Sequence, residues 1–153
     1  MAVSQNTFHL LGSLITFRAV PANTNGKFAL AEIVTATGAG APPNHHVEEE
    51  WFLVLEGEVE FVIEGKMRRC IAGDFVTIPT DKAHAFTNVG EGPSRMINIT
   101  SPGDDHVGFF SQAGEALPLG TTEFPPMMPP DLPRLAGIAA ENNMHFLPPP
   151  NDE

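Results

Sequence analysis

Cysteine is nearly missing from this chain: Cys70 is the single one among 153 residues. An intrachain disulfide is therefore excluded. Reduced sulfur fits a reducing compartment, and a cytoplasmic location is the expectation. Basic residues are also scarce. Eight Lys and Arg stand against nineteen Asp and Glu, a net charge of -11. Phosphate recognition needs clustered cations, so no nucleic-acid partner is expected. The acidic excess reads as a solvated surface. Long apolar runs are absent, and none approaches the ~20 residues that span a bilayer, so no membrane partner is expected. The first residues, MAVSQNTFHL, lack a basic segment followed by a long apolar core, so no secretory leader is expected. There is no glycine-rich phosphate loop either. GAGAPP at 38–43 contains prolines and runs toward a strand, not a helix. Nothing pairs Cys70 with a histidine as a catalytic couple, so it reads as a small buried hydrophobe. No internal repeat is visible.

What is present is enough for one domain: 42% of residues are hydrophobic. From residue 7 to 100 the chain shows short apolar stretches separated by glycine turns. Residues 27–35 alternate Phe28, Leu30 and Glu32 against Ala29, Ala31 and Ile33. Residues 38–43 read as a loop and 45–56 as one extended run. Residues 58–64 alternate most cleanly, with Val59, Phe61 and Ile63 inward and Glu58, Glu60 and Glu64 outward. Residues 75–78 read as a buried strand. Many short strands with turns at glycine and no helix between them predict an all-β sandwich or barrel.

After residue 103 the composition changes. A short helix is expected from 104 to 115, a Pro-rich extended segment from 117 to 130, and a second helix from 131 to 143 with Asp131 as N-cap. The division is a barrel over 1–103 and a helical, Pro-rich extension over 104–153 packed on it. The end, LPPPNDE, reads as a loose tail.

The chemistry concentrates between Gly38 and Gly57. His46 and Glu50 are four apart, and on one extended strand that even spacing puts both on one face, with Asn44. An imidazole and a carboxylate converging inside a β shell suggest a metal site, with His84 as third ligand. Glu48 reads as a solvated turn, and Glu49 projects opposite to Glu50. Phe52, Val54, Phe61, Ile63, Phe75, Ile78, Phe86, Met96 and Ile97 read mainly as core. Phe86 shares the inward face of His84 and is the first choice for stacking on a substrate. Met96, Phe52 and Asn44 complete the expected pocket. His9, His106 and His145 read as lone surface or packed histidines.

Two stretches resemble the paired motifs of the cupin superfamily. In the first, Gly38, Asn44, His46, Glu50 and Gly57 fall at the motif positions; in the second, Gly73, Pro79, Asp81, His84 and Asn88 do. The resemblance covers about residues 27–100, and the tail also resembles single-domain cupins of the quercetin dioxygenase-like kind. It implies a double-stranded β-helix, the jelly-roll or cupin barrel, with short C-terminal helices. It also implies one divalent transition metal (Fe, Mn, Ni, Cu or Zn) held by three histidines and a glutamate.

By position the ligands are His46, Glu50 and His84. Asn44 stands where the first histidine is expected, and three outcomes stay open. His45 swings in through a bulge; Asn44 faces a site of two histidines and one carboxylate; or the metal is lost. Asp81 replaces the second-motif glycine, a turn position that Asp tolerates.

The implied activity is a dioxygenase acting on a small enolic or aromatic, flavonol-like compound, with Glu50 also able to serve as a base. The alternatives are a non-catalytic small-molecule-binding module and a metal-dependent isomerase. Open sheet edges predict a homodimer.

Overall fold

The computed structural model describes residues 6–148. In chain order the strands are β1 (Asn6–Leu10), β2 (Ser13–Ala19), β3 (Ala29–Thr35), β4 (Gly40–His46), β5 (Glu49–Glu56) and β6 (Glu58–Ile63). There follow β7 (Lys66–Ile71), β8 (Phe75–Ile78), β9 (His84–Asn88) and β10 (Ser94–Ser101). Helix α1 (Asp104–Ala113), β11 (Glu115–Pro118), α2 (Leu132–Glu141) and β12 (Met144–Phe146) complete the described chain. The strands form two antiparallel sheets, β11-β1-β2-β3-β10-β5-β8 and β12-β4-β9-β6-β7. This is the all-β jelly-roll barrel with short helices near its C-terminal end.

Alternation builds the core. Ala29, Ala31 and Ile33 are buried along β3, and Val59 and Phe61 along β6, with their neighbours turned outward. Both sheets send side chains inward, among them Val54, Phe61, Val76, Ile78 and Met96. Cys70 is fully buried in the same cluster.

Three expectations need revision. Strand β8 is half-buried rather than buried: Val76 and Ile78 point inward while Phe75 is 53% exposed, because β8 is an edge strand with one wet face. The loop expected at 38–43 is mostly strand, since Gly40 to Pro43 belong to β4. The prolines cannot donate to a ladder, and the pairing with β9 shifts register between Ala41 and Asn44. Finally, 45–56 is not one run. The chain bends at Val47 and Glu48, passing from β4 in the five-stranded sheet to β5 in the seven-stranded sheet.

The segment after residue 103 supplies an outer strand to each sheet. β11 pairs with β1 in the register Asn6↔Pro118, and β12 pairs with β4 in the register Met144↔His46. Both expected helices form. Asp131 caps α2 by accepting from the Arg134 N–H. The Pro-rich segment is strand only at its start and has no regular structure from 124 to 130. Phe109, Ala113, Leu135, Ala139 and Met144 make a second small core that fastens the helices. The tail beyond residue 148 lies outside the described residues. No helix among those described is long and apolar enough to cross a membrane.

Candidate metal centre

The bend at Val47 and Glu48 decides how His46 and Glu50 meet. They do not share a strand face, as their spacing predicts. They end one strand and begin another, in different sheets, and approach across the barrel interior. His84 opens β9 beside β4, with Asn44 opposite it in the register. All three are buried, and one donor atom from each lies within 4.8 Å of the others.

Each ring is held from behind. His46 Nδ1 donates to the Glu48 backbone oxygen at 2.7 Å, and His84 Nδ1 donates to the Lys82 oxygen at 2.7 Å. A carbonyl can only accept, so Nδ1 carries the proton and Nε2 presents a lone pair when the ring is neutral. Both Nε2 atoms face Glu50 Oε1, at 3.2 and 3.3 Å. The other oxygen, Oε2, accepts from the Asn98 amide at 2.9 Å.

A third histidine joins them. His106, on the first turn of α1, is 2% exposed and places Nε2 3.4 Å from Glu50 Oε2. Its ring stands edge-on to that of His46, with centroids 4.5 Å apart. The reading of His106 as a lone histidine, and of Glu48 as a solvated turn, is thus corrected. Glu48 is 2% exposed and turns its carboxylate onto the start of α1. It accepts from the backbone N–H groups of Gly103, Asp105 and His106 and from His106 Nδ1 at 2.7 Å. A buried anion satisfies unpaired N–H groups at a helix start. Gly103 permits the approach: its φ is 101°, and a Cβ there would lie 2.6 Å from Ala29 Cβ.

No local signal marks this arrangement. The one cue is a buried-facing pattern at His106, Phe109 and Ala113, one side of a helix.

Burial alone would raise the Glu50 and Glu48 carboxyls. The facing imidazoles, above all His106, outweigh it and hold both below their ordinary value, Glu50 well below. Burial would likewise lower His106, but the Glu50 charge and the Glu48 hydrogen bond raise it to about 9. The Nε2 lone pairs of His46 and His84 and the Glu50 oxygens thus converge on a region that calls for positive charge. The residues fit a divalent cation. Bonds of ~2.0–2.2 Å to nitrogen and oxygen put neighbouring donors about 3.0–3.4 Å apart, and the nitrogens of His46 and His84 stand 3.2 and 3.3 Å from Glu50 Oε1. Imidazole and carboxylate together suit Fe, Mn, Ni, Cu or Zn.

The remaining expected residues divide. His45 does not swing in. It lies on the opposite face of β4 from His46, with Nδ1 3.8 Å from Asp81 and its ring 5.2 Å from that of His145. The bulge in β4 falls before Asn44 and leaves this alternation intact. Asn44 is buried and donates its amide to the Pro42 oxygen at 2.9 Å and the His84 oxygen at 3.4 Å.

A cavity of about 80 Å³ opens beside the cluster, walled by Ala41, Phe86, Phe109, Phe110 and Phe146 and bounded by Asn44 and His106. Phe52 and Met96, expected in the pocket, do not line it. They are 2% and 0% exposed and pack in the core. Of the four clustered ionisable groups, only His106 reaches the cavity wall.

Fold and cluster together define a small jelly-roll barrel able to hold a metal ion at its centre. Residues 31–100 match the Cupin_2 family, cupin domain, so this segment is a cupin domain. Over 58 residues it is 36% identical to the polyketide synthase CurC of Streptomyces cyaneus, a match spanning 38% of each chain. Among solved structures it resembles a predicted oxalate decarboxylase from Thermotoga maritima (TM-score 0.59, 18% identity, 66% of this chain and 98% of that one). It also resembles the polyketide cyclase RemF from Streptomyces resistomycificus (TM-score 0.54, 20% identity, 60% of this chain and 66% of that one). At such identities these structures speak for the fold alone.

Proposed function

We propose that this chain is a metal-dependent dioxygenase acting on a small enolic or aromatic compound of flavonol-like chemistry. The observation that carries the reading is the aromatic-walled cavity abutting the donor cluster at Asn44 and His106. A divalent transition metal held by His46, Glu50 and His84 supplies Lewis acidity and, when redox-active, the means to use dioxygen as oxidant.

The chain's own contribution is binding, orientation and exclusion of water. Phe86, Phe109, Phe110 and Phe146 offer aromatic walls to a flat substrate, and Asn44 and His106 add polar side chains to the lining. An engineered cavity of ~150 Å³ holds benzene, so a space of about 80 Å³ must widen to take a whole ring. β12, a three-residue edge strand bearing Met144 and Phe146, pairs with β4 alone and is the strand wall best able to give. Both Glu50 oxygens are already engaged. A base role for Glu50 therefore requires it to release one of His46, His84, Asn98 or His106.

The test is oxygen consumption by protein of measured metal content, with quercetin as first substrate. Uptake supports the reading. Metal-loaded protein that consumes no oxygen with any enolic compound overturns it. A second reading, a non-oxidative step on a polyketide, draws on the similarity to the polyketide synthase CurC. It predicts product of unchanged oxidation state by mass spectrometry. A binding module would keep its ligand affinity after His46→Ala and His84→Ala.

A homodimer is part of the same proposal. Met67, Ile71 and Phe75 are 69%, 57% and 53% exposed on the edge strands β7 and β8. The Arg68 side chain donates to the Phe75 backbone oxygen at 3.1 Å and links these two edges, and exposed apolar side chains on strand edges suit a contact with a second copy. Sedimentation at micromolar concentration decides it.

A further inference from the structure

We propose that His106, delivered by α1 from outside the barrel motifs, supplies the third imidazole of the metal centre in place of Asn44, with Glu48 as its positioning residue. The inference rests on the metal-dependent reading above and adds a donor that neither motif contains.

Three observations carry it. The first is convergence. His106 Nε2 stands 3.4 Å from Glu50 Oε2, the same approach that His46 and His84 make to Oε1 at 3.2 and 3.3 Å. Each distance matches the spacing of neighbouring donors on a small divalent cation, and His106 meets the His46, Glu50 and His84 group through the opposite carboxylate oxygen. The second is the support behind the ring. A histidine that ligates a metal through Nε2 almost always donates Nδ1–H to a carboxylate or carbonyl. His46 and His84 use backbone carbonyls, and His106 uses the buried Glu48 carboxylate at 2.7 Å.

The third is vacancy of role. Asn44 spends its amide on the Pro42 and His84 oxygens, and His45 faces Asp81 and His145. Neither completes a three-nitrogen set, whereas His106 does. Glu48 ties the set together: its backbone oxygen orients His46 while its side chain orients His106 and anchors α1.

The test counts nitrogens. Full-length protein without a polyhistidine tag is loaded with Cu²⁺, and hyperfine couplings in electron paramagnetic resonance report the coordinated imidazoles. Zn²⁺ affinity is measured separately by competition with a chromophoric chelator. We expect three imidazoles in the wild type and in His45→Ala, and two in His106→Ala. We expect Zn²⁺ affinity to fall in His106→Ala by no less than the about 10–100-fold that loss of an orienting partner costs. Glu48→Gln should keep three imidazoles at saturating copper and lose about 10–100-fold in Zn²⁺ affinity.

Two imidazoles in the wild type, or an unchanged count and affinity in folded His106→Ala, overturn the proposal while leaving the His46, Glu50 and His84 centre standing. Wild-type protein that binds neither metal overturns both. If His106→Ala does not fold, the wild-type count and the Glu48→Gln affinity still decide.

Discussion

Glu48 Oε1 accepts the His106 Nδ1 proton at 2.7 Å across 58 positions of sequence. The same carboxylate takes backbone N–H groups of Gly103, Asp105 and His106. One residue in the bend between β4 and β5 therefore docks α1 on the barrel, turns a histidine toward Glu50 and, through its own carbonyl, turns His46 as well.

Glu48→Ala leaves those buried N–H groups without an acceptor. Each unsatisfied group costs about 1–3 kcal/mol, and for a chain of this size each kcal/mol lowers Tm by about 2–4 °C. Urea unfolding should show the loss, and thermal melts a drop of several degrees. An unchanged Tm would contradict the account of how α1 is held.

Stability of the metal-free protein should peak in mildly acidic solution. His106 rises from 6.5 to about 9 on folding, so its contribution is complete below pH 6.5 and is lost as pH climbs through about 9. Glu48 and Glu50 fall from 4.5 on folding, so theirs is present above pH 4.5 and is lost as pH drops. Chelator-treated protein melted across pH 3 to 10, roughly the span of these groups, should be most stable between about 4.5 and 6.5. A maximum above pH 9 would sink this reading of the charges.

His45 and His46 are adjacent in sequence and opposite in consequence. His46→Ala should remove most of the bound metal, while His45→Ala should leave the metal content of purified protein unchanged. Elemental analysis of the two variants reads the difference directly. Equal losses would mean that His45 serves the centre after all.

Gly40 lies opposite Thr87 where β4 pairs with β9. A Cβ there would sit 1.9 Å from the Phe86 carbonyl oxygen. Gly40→Ala must push the strands apart, and overpacking of this kind costs typically about 1–3 kcal/mol. Denaturant titration should show at least that, together with weaker metal binding, since His46 and His84 are carried by these two strands.

Ala41 lines the cavity and is not one of the donor residues. Ala41→Leu should fill the space, lower substrate affinity more than about tenfold, or 1.4 kcal/mol, and leave metal content intact. Isothermal titration with quercetin measures the first, elemental analysis the second. Undiminished binding would place the substrate elsewhere.

Much of this molecule is legible in its sequence. Strands over 29–35 and 58–63 announce themselves because a sheet face alternates, and Val59 and Phe61 could only face inward. His46, Glu50 and His84 are recognisable from their spacing and from the cupin motifs. The route by which His46 and Glu50 meet was not readable, because a two-residue bend that changes sheets looks like continuous strand in a local pattern. Phe52 and Met96 could not be told from pocket residues, because core and cavity walls draw on the same apolar side chains.

Local chemistry alone determined the alternating strands, the glycine turns and the two motif stretches, for these depend on neighbours a few positions away. Only the tertiary structure decided that Glu48 is buried and that His106 meets Glu50. Those facts arise from a helix start and a strand bend meeting 55 or more positions apart. A carboxylate without an acceptor's partners would be solvated; the unpaired N–H groups of α1 are what make its burial favourable.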